Sequence, residues 1–166
     1  MLGDLKIDET LVGALCRATR EGLEMTGIVP DPIGAARHQN HAREVSVLVS
    51  LIGKQNGTVT INVSRTCAAY LAGRLLDEET YELDDERLDG LGEIGNMIAG
   101  RLKEILIDTV YAFEDISCPA LILGANYNVY HYQGLLAASV EFEVDELPRI
   151  CMGDRLFSVS IAMMRS

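Results

Sequence analysis

Apolar residues recur along this chain at two periods, and the changes of period mark its elements. From Leu88 to Leu106 the chain reads LDGLGEIGNMIAGRLKEIL. At about 100° per residue, Leu88, Leu91, Ile94, Ile98, Leu102, Ile105 and Leu106 fall on one broad stripe, which predicts a long amphipathic helix. Asp84 or Asp85 can cap it, and negative charge suits its N-terminus. Similar spacing runs from about Asp8 to Met25, where Leu11, Val12, Leu15, Ala18, Leu23 and Met25 supply an apolar face. Thr26-Gly27 ends that helix, and Pro30 and Pro32 block its continuation. A third helix, about Cys67 to Leu76, follows a cap at Ser64 or Thr66.

Elsewhere the period shortens to two. Val45, Val47, Val49 and Leu51 alternate with mostly polar neighbours, and Val59, Ile61 and Val63 alternate with Thr58, Thr60, Asn62 and Ser64. Between these runs sits Lys54-Gln55-Asn56-Gly57, and Asn-Gly is a strong hairpin signal, so the two strands should pair antiparallel. The stretch from Pro30 to Asn40 reads as a loop of mixed polarity. Past Asp108 the chain turns extended: Ala120–Leu123 is a short apolar run, a Gln133-Gly134 turn precedes the alternation Leu136, Ala138, Val140, Phe142, Val144, and Phe157, Val159, Ile161 and Met163 give a last strand. Helix, strand pair, two helices and then several strands predict an α+β fold, helices packed on an antiparallel β-sheet, as a single domain over residues 1–166.

Composition narrows the function classes. An apolar share of 48% fits a folded globular chain. A net charge of −11 argues against a nucleic-acid backbone or an anionic membrane as main partner. No run of about 18 apolar residues occurs, and MLGDLKIDET has no apolar signal core, so a cytoplasmic protein is expected. Cys16, Cys67, Cys118 and Cys151 are widely spread with no CxxC pair, which fits reduced thiols and not a zinc site. His38 and His41 stand near each other, but neither they nor His131 belong to an HExxH pattern, and no phosphate-binding glycine loop is present. The chain is expected to hold no metal and no cofactor of its own.

The long helix carries one constellation with chemical potential. Glu93 and Asn96, three residues apart, share a side of the helix away from the apolar stripe, with Asp89 one turn before and Gly100 one turn after. A carboxylate there can pair with a lysine or act as a base, and an amide that both donates and accepts can hold a water in line for attack. An ordinary solvated helix face is the default alternative. Each mid-helix glycine costs about 1 kcal/mol against alanine. Gly92 and Gly95 lie at or near the stripe, where they let another element approach, whereas Gly100 leaves open space beside the pair.

Asp89-xxx-Glu93-xx-Asn96, followed after 22 residues by Pro119, resembles the signature of the CheC/CheX/FliY family of chemotaxis phosphatases: Asp or Ser, three residues, Glu, two residues, Asn, 22 residues, Pro. The surrounding GEIGNMIAGRL also looks like that family's helix. CheC-type members carry two such motifs. Here the first helix offers Glu9 but Val12 at the Asn position, so one motif survives and the chain is most similar to CheX. The resemblance implies a phosphatase of a CheY-like response regulator. Glu93 would form a salt bridge to the regulator's lysine and Asn96 would orient the attacking water. Mg²⁺ would belong to the phosphorylated regulator. Asp89 and Pro119 would shape the helix end and the neighbouring turn, and Gly100 would leave room for the partner. A homodimer joined by sheet pairing is also implied, with the strands near Val140 and Val159 as the candidate edge. The alternatives are a non-catalytic module or scaffold that binds the regulator, and a structural dimerisation protein.

Overall fold

The computed structural model describes residues 7–38, 43–124, 134–148 and 152–164. Three helices lie over one face of a seven-stranded sheet among these residues, and every strand pairing is antiparallel. The helices are α1 (Glu9–Gly22), α2 (Arg65–Leu75) and α3 (Asp85–Leu106). The strands are β1 (Asp31–Ala36), β2 (Val45–Gly53), β3 (Gly57–Val63), β4 (Phe113–Ile116), β5 (Ala120–Leu123), β6 (Leu135–Glu143) and β7 (Leu156–Met164). Their order across the sheet is β1-β6-β7-β3-β2-β4, and β5 pairs with β2 further along the same edge as β4.

Side-chain alternation explains which face the helices cover. Val45, Val47, Val49 and Leu51 on β2 register against Val63, Ile61, Val59 and Gly57 on β3, and all these residues are buried. Val159 and Ile161 of β7 and Ala138, Val140 and Phe142 of β6 continue the same buried surface. Leu11, Leu15 and Ala18 of α1 and Leu91, Ile94, Ile98, Leu102 and Leu106 of α3 close it from above. α3 lies between α1 and α2 and rests on β2, β4 and β5, while α1 covers β6 and β7. The caps follow the sequence: Asp8, Ser64 and Asp84 each accept from the main-chain N–H three residues on, at 3.0, 3.1 and 3.0 Å.

Two close approaches set the helix layer. A Cβ added at Gly22 would meet the Ile98 main chain at 2.9 Å, so α1 and α3 nearly touch backbone to backbone. A Cβ added at Gly95 would meet Val47 Cγ1 at 2.7 Å, so α3 sits directly on β2.

Arg155 closes the β6–β7 end. It is 2% exposed, donates to the carbonyls of Val144 (3.3 Å) and Asp145 (2.9 Å), and pairs with Asp145 Oδ1 at 2.7 Å and Glu143 Oε1 at 3.3 Å.

The structure departs from the sequence reading at three places. The stretch expected as a loop contains β1, which pairs with β6. Its DPIGAA sequence shows no alternation because it is an edge strand with almost every side chain exposed, and an edge tolerates Pro32 and the bulge between Pro32 and Gly34. The first helix stops at Gly22, and Glu24–Thr26 continues as a single 3₁₀ turn that leaves Met25 76% exposed, off the apolar face. Gly27 then takes φ +72°, which ends the turn. Val140 and Val159 lie on interior strands, each paired on both sides, so they offer no edge for a second subunit; the sheet's edges are β1 on one side and β4 with β5 on the other. His41, His131, Cys151 and Gln133 lie outside the described residues.

Candidate functional site

The site is built on α3. Its buried stripe fixes the helix against the sheet, and the opposite side carries Asp89, Glu93, Asn96 and Gly100 in steps of four, three and four residues. Asp89 and Glu93 are exposed, and Asn96 is half-buried. Side chains three or four residues apart on a helix stand about 5–6 Å apart at Cβ, so these residues form one row. Leu91, Ile94, Ile98 and Leu102, interleaved with the row on the opposite side, are buried, which makes α3 a rigid mount.

The row is chemically unengaged. Among the described residues, no hydrogen bond or ion pair occupies the side chains of Asp89, Glu93 or Asn96. The cations of α3 are turned elsewhere: Arg87 pairs with Glu78, Asp84 and Glu86, Arg101 with Glu104, and Lys103 reaches the Glu114 carbonyl at 3.5 Å. Two like charges four residues apart cost a helix a few tenths of a kcal/mol. The structure therefore holds a carboxylate pair ready to accept cations and an amide ready to donate or accept.

The glycines separate into two kinds. Gly92 is buried, and a Cβ there would lie 3.4 Å from Pro119 Cγ and 3.6 Å from Leu121 Cδ1. Pro119, in the β4–β5 connection, thus packs on the helix turn that precedes Glu93. Leu121 was not singled out from the sequence; its strand was legible, its seat against Gly92 was not. At Gly100 a Cβ would meet nothing within 4 Å, so no contact among the described residues explains that glycine. Asp89 does not shape the helix end. Asp84 caps α3, and Asp89 stands inside the helix.

Other chemistries find little support. Cys67 opens the first turn of α2 but is buried; burial pushes its thiol up to about 12, the nearby Arg43 only partly opposing this and Asp154 adding to it. Burial also raises Cys16, against the pull of Arg20. Neither is a thiolate nucleophile at neutral pH. Among the described residues no group of three His, Cys, Asp or Glu side chains is placed to hold a metal ion, and His38 is exposed. No described helix is long and apolar enough to cross a membrane.

Comparison with known proteins adds independent findings. The sequence model of the family described as chemotaxis phosphatase CheX matches residues 45–143, more than half the chain and inclusive of Asp89, Glu93, Asn96, Gly100 and Pro119. A search of curated protein sequences gave no match. Among solved structures, a CheC-like superfamily protein from Shewanella sp. PV-4 superposes with a TM-score of 0.78 at 20% identity, covering 96% of this chain and 100% of that one. The chemotaxis protein CheX from Desulfovibrio desulfuricans gives 0.75 at 22% identity, covering 92% and 98%. A chain of the CheX–CheY–BeF3–Mg²⁺ complex from Borrelia burgdorferi gives 0.72 at 27% identity, covering 96% and 100%.

Proposed function

Because this chain belongs to the chemotaxis phosphatase CheX family, we propose that it hydrolyses the aspartyl-phosphate of a CheY-like response regulator, with Glu93 and Asn96 as the working pair. The observation that carries the reading is the unengaged Glu93–Asn96 row on a rigid helix, at the family's spacing. The similarity to a chain crystallised with CheY, BeF3 and Mg²⁺ supports the choice of partner, BeF3 being a stand-in for a phosphoryl group.

The chemistry follows from what the partner already supplies. An acyl phosphate is activated, and Mg²⁺ held by the regulator neutralises charge on it, so the added contribution is positioning. Glu93 accepts the regulator's lysine and fixes the docking. Asn96 enters the regulator's site and holds a water in line with phosphorus, its carbonyl accepting from that water. The water oxygen bonds to phosphorus, the bond to the aspartyl oxygen breaks, the carboxylate leaves, and the water proton passes to phosphate or solvent. Phosphate and the unmodified regulator result, with no covalent intermediate on this chain. The reading places the protein in the cytoplasm, where ATP-fed relays charge such regulators.

The test is phosphate release from a phosphorylated CheY-like receiver with Mg²⁺. Accelerated release supports the phosphatase. Stable capture of the receiver with no acceleration, over several receivers, replaces it with the binding-module reading.

Two expectations follow from this function. Gly100→Ala fills the open space beside Asn96. It should raise stability by about 0.5–1 kcal/mol, as alanine does in a helix interior, yet lower kcat/KM about tenfold because the new methyl stands on the docking face. Thermal melts and steady-state phosphate release check both, and a rise in both quantities would remove Gly100 from the interface. The second concerns assembly. A homodimer would pair through β5: β1 is blunted by Pro32 and a bulge, whereas β5 carries Ile122 at 39% and Leu123 at 53% exposure and, among the described residues, pairs only with β2. Sedimentation should report twice the monomer mass, and Ile122→Lys with Leu123→Lys should return it to the monomer value.

A further inference from the structure

We infer that Gly95 and Val47 are positioning residues: their contact sets how far Asn96 stands above the sheet, and so whether it reaches the attacking water. The inference rests on the phosphatase reading and deepens it by naming what holds the reactive amide in place.

The geometry is specific. Gly95 is buried immediately before Asn96 and two residues after Glu93. A Cβ at Gly95 would stand 2.7 Å from Val47 Cγ1, a separation that real Cβ atoms essentially never show, and 3.7 Å from both Val47 Cβ and Val49 Cγ2. Val47 cannot retreat. It is 0% exposed and sits mid-strand on β2, registered with Ile61 of β3 on one side and Leu121 of β5 on the other.

The helix is also held on its flanks. Gly22 of α1 presses on the Ile98 main chain, and Ala72 of α2 faces Gly90, where an added Cβ would lie at 3.4 Å. With both flanks occupied, an extra methyl at residue 95 has one direction of relief, away from the sheet. That motion carries Asn96 outward by several tenths of an ångström and tilts the row. Glu93 has one more rotatable bond and a longer reach, and can still find a lysine. Asn96 has a short side chain and a water to align, and misplacement by about 1 Å can cost on the order of 100-fold in rate.

Leu121 ties the two walls of the site to the same point. It pairs with Val47 in the sheet and packs toward Gly92 on the helix. The β4–β5 connection with Pro119 and the helix with Asn96 therefore take their spacing from one position on β2.

The test is a size exchange. Gly95→Ala, Val47→Ala and the double variant are compared with the unaltered protein for phosphate release from a phosphorylated receiver, with kcat expressed per folded molecule and KM measured separately. Phe142→Ala, a core change on β6 remote from α3, serves as a control for stability loss alone. Gly95→Ala should lower kcat about tenfold, with KM within about threefold. Adding Val47→Ala removes the Cγ1 atom and leaves the nearest Val47 atom at 3.7 Å, so the double variant should regain most of kcat. Phe142→Ala should keep kcat per folded molecule. Normal kcat in Gly95→Ala, or a folded double variant that stays slow, overturns the inference. If Gly95→Ala does not fold, the double variant decides alone: full activity supports the exchange, and low activity refutes it. An unaltered protein that releases no phosphate refutes the phosphatase reading and this inference with it, whereas failure of the exchange in an active protein refutes the inference only.

Discussion

Asn96→Ala should reduce receiver-stimulated phosphate release by about 100-fold or more at saturating receiver, a loss of about 3 kcal/mol of transition-state stabilisation. The size follows from the role. If the amide only aligns water within a site whose metal and leaving group belong to the partner, its removal leaves the partner's slow self-hydrolysis and little else. Affinity should change by less than about threefold, since Glu93 and the surrounding face still dock. Stability offers no alternative explanation: Asn96 makes no side-chain hydrogen bond among the described residues, and alanine is the better helix former. A variant within threefold of the unaltered kcat would remove Asn96 from the reaction, and an equal loss in affinity would make it a docking residue instead.

A large effect on stability is expected far from this row. Arg155→Met should destabilise the fold by about 3 kcal/mol, read as a lower urea midpoint with an unchanged slope. The guanidinium satisfies two main-chain carbonyls at the β6–β7 end and faces Glu143 and Asp145. Asp145 is 65% exposed and regains water easily, so the loss stays at the low end of what broken buried pairs cost. The Asp145 carbonyl loses its donor, and the Val144 carbonyl keeps only the Leu147 N–H at 3.3 Å. Arg155→Lys should recover only part of the loss, because an ammonium cannot span carbonyls and carboxylates in one planar fork. A loss under about 1 kcal/mol would mean that water enters this end of the sheet and replaces the donor.

How much of this was legible in the chain depended on burial. The α3 stripe, the β2–β3 hairpin and the β6 and β7 alternations read correctly because each gathers its large apolar side chains on the face turned to the core. β1 was not legible, since an exposed edge strand imposes no pattern and its Pro and Gly argue for a loop. The register of β6 and β7 as interior strands was equally hidden: alternation reports a buried face, not which neighbours lie alongside. At the site, the spacing of Glu93 and Asn96 was readable, as was the distinction between packing glycines and Gly100. What could not be read was the partner of each close approach, because Val47 lies 48 positions before Gly95 and no local pattern links them. The role given to Asp89 failed for a related reason. Its part came from the resemblance alone, the cap itself was open between Asp84 and Asp85, and only main-chain geometry shows that Asp84 takes it.

The placement of β1 has a consequence for how the chain is made. Asp31 registers with Glu143, so a strand near the beginning of the chain waits for one near its end. During synthesis β2 and β3 can form their hairpin at once, and α3 can settle on β2 soon after, but β1 has no neighbour until β6 has emerged. Such long-range closure slows folding. An unpaired strand left waiting is an invitation to association, which grows with its length and apolarity. β1 is six residues long, contains a proline and a glycine, and buries none of its side chains. Its poverty as a strand is what lets it wait safely, and the sheet acquires its last member only when the rest of the molecule is already in place.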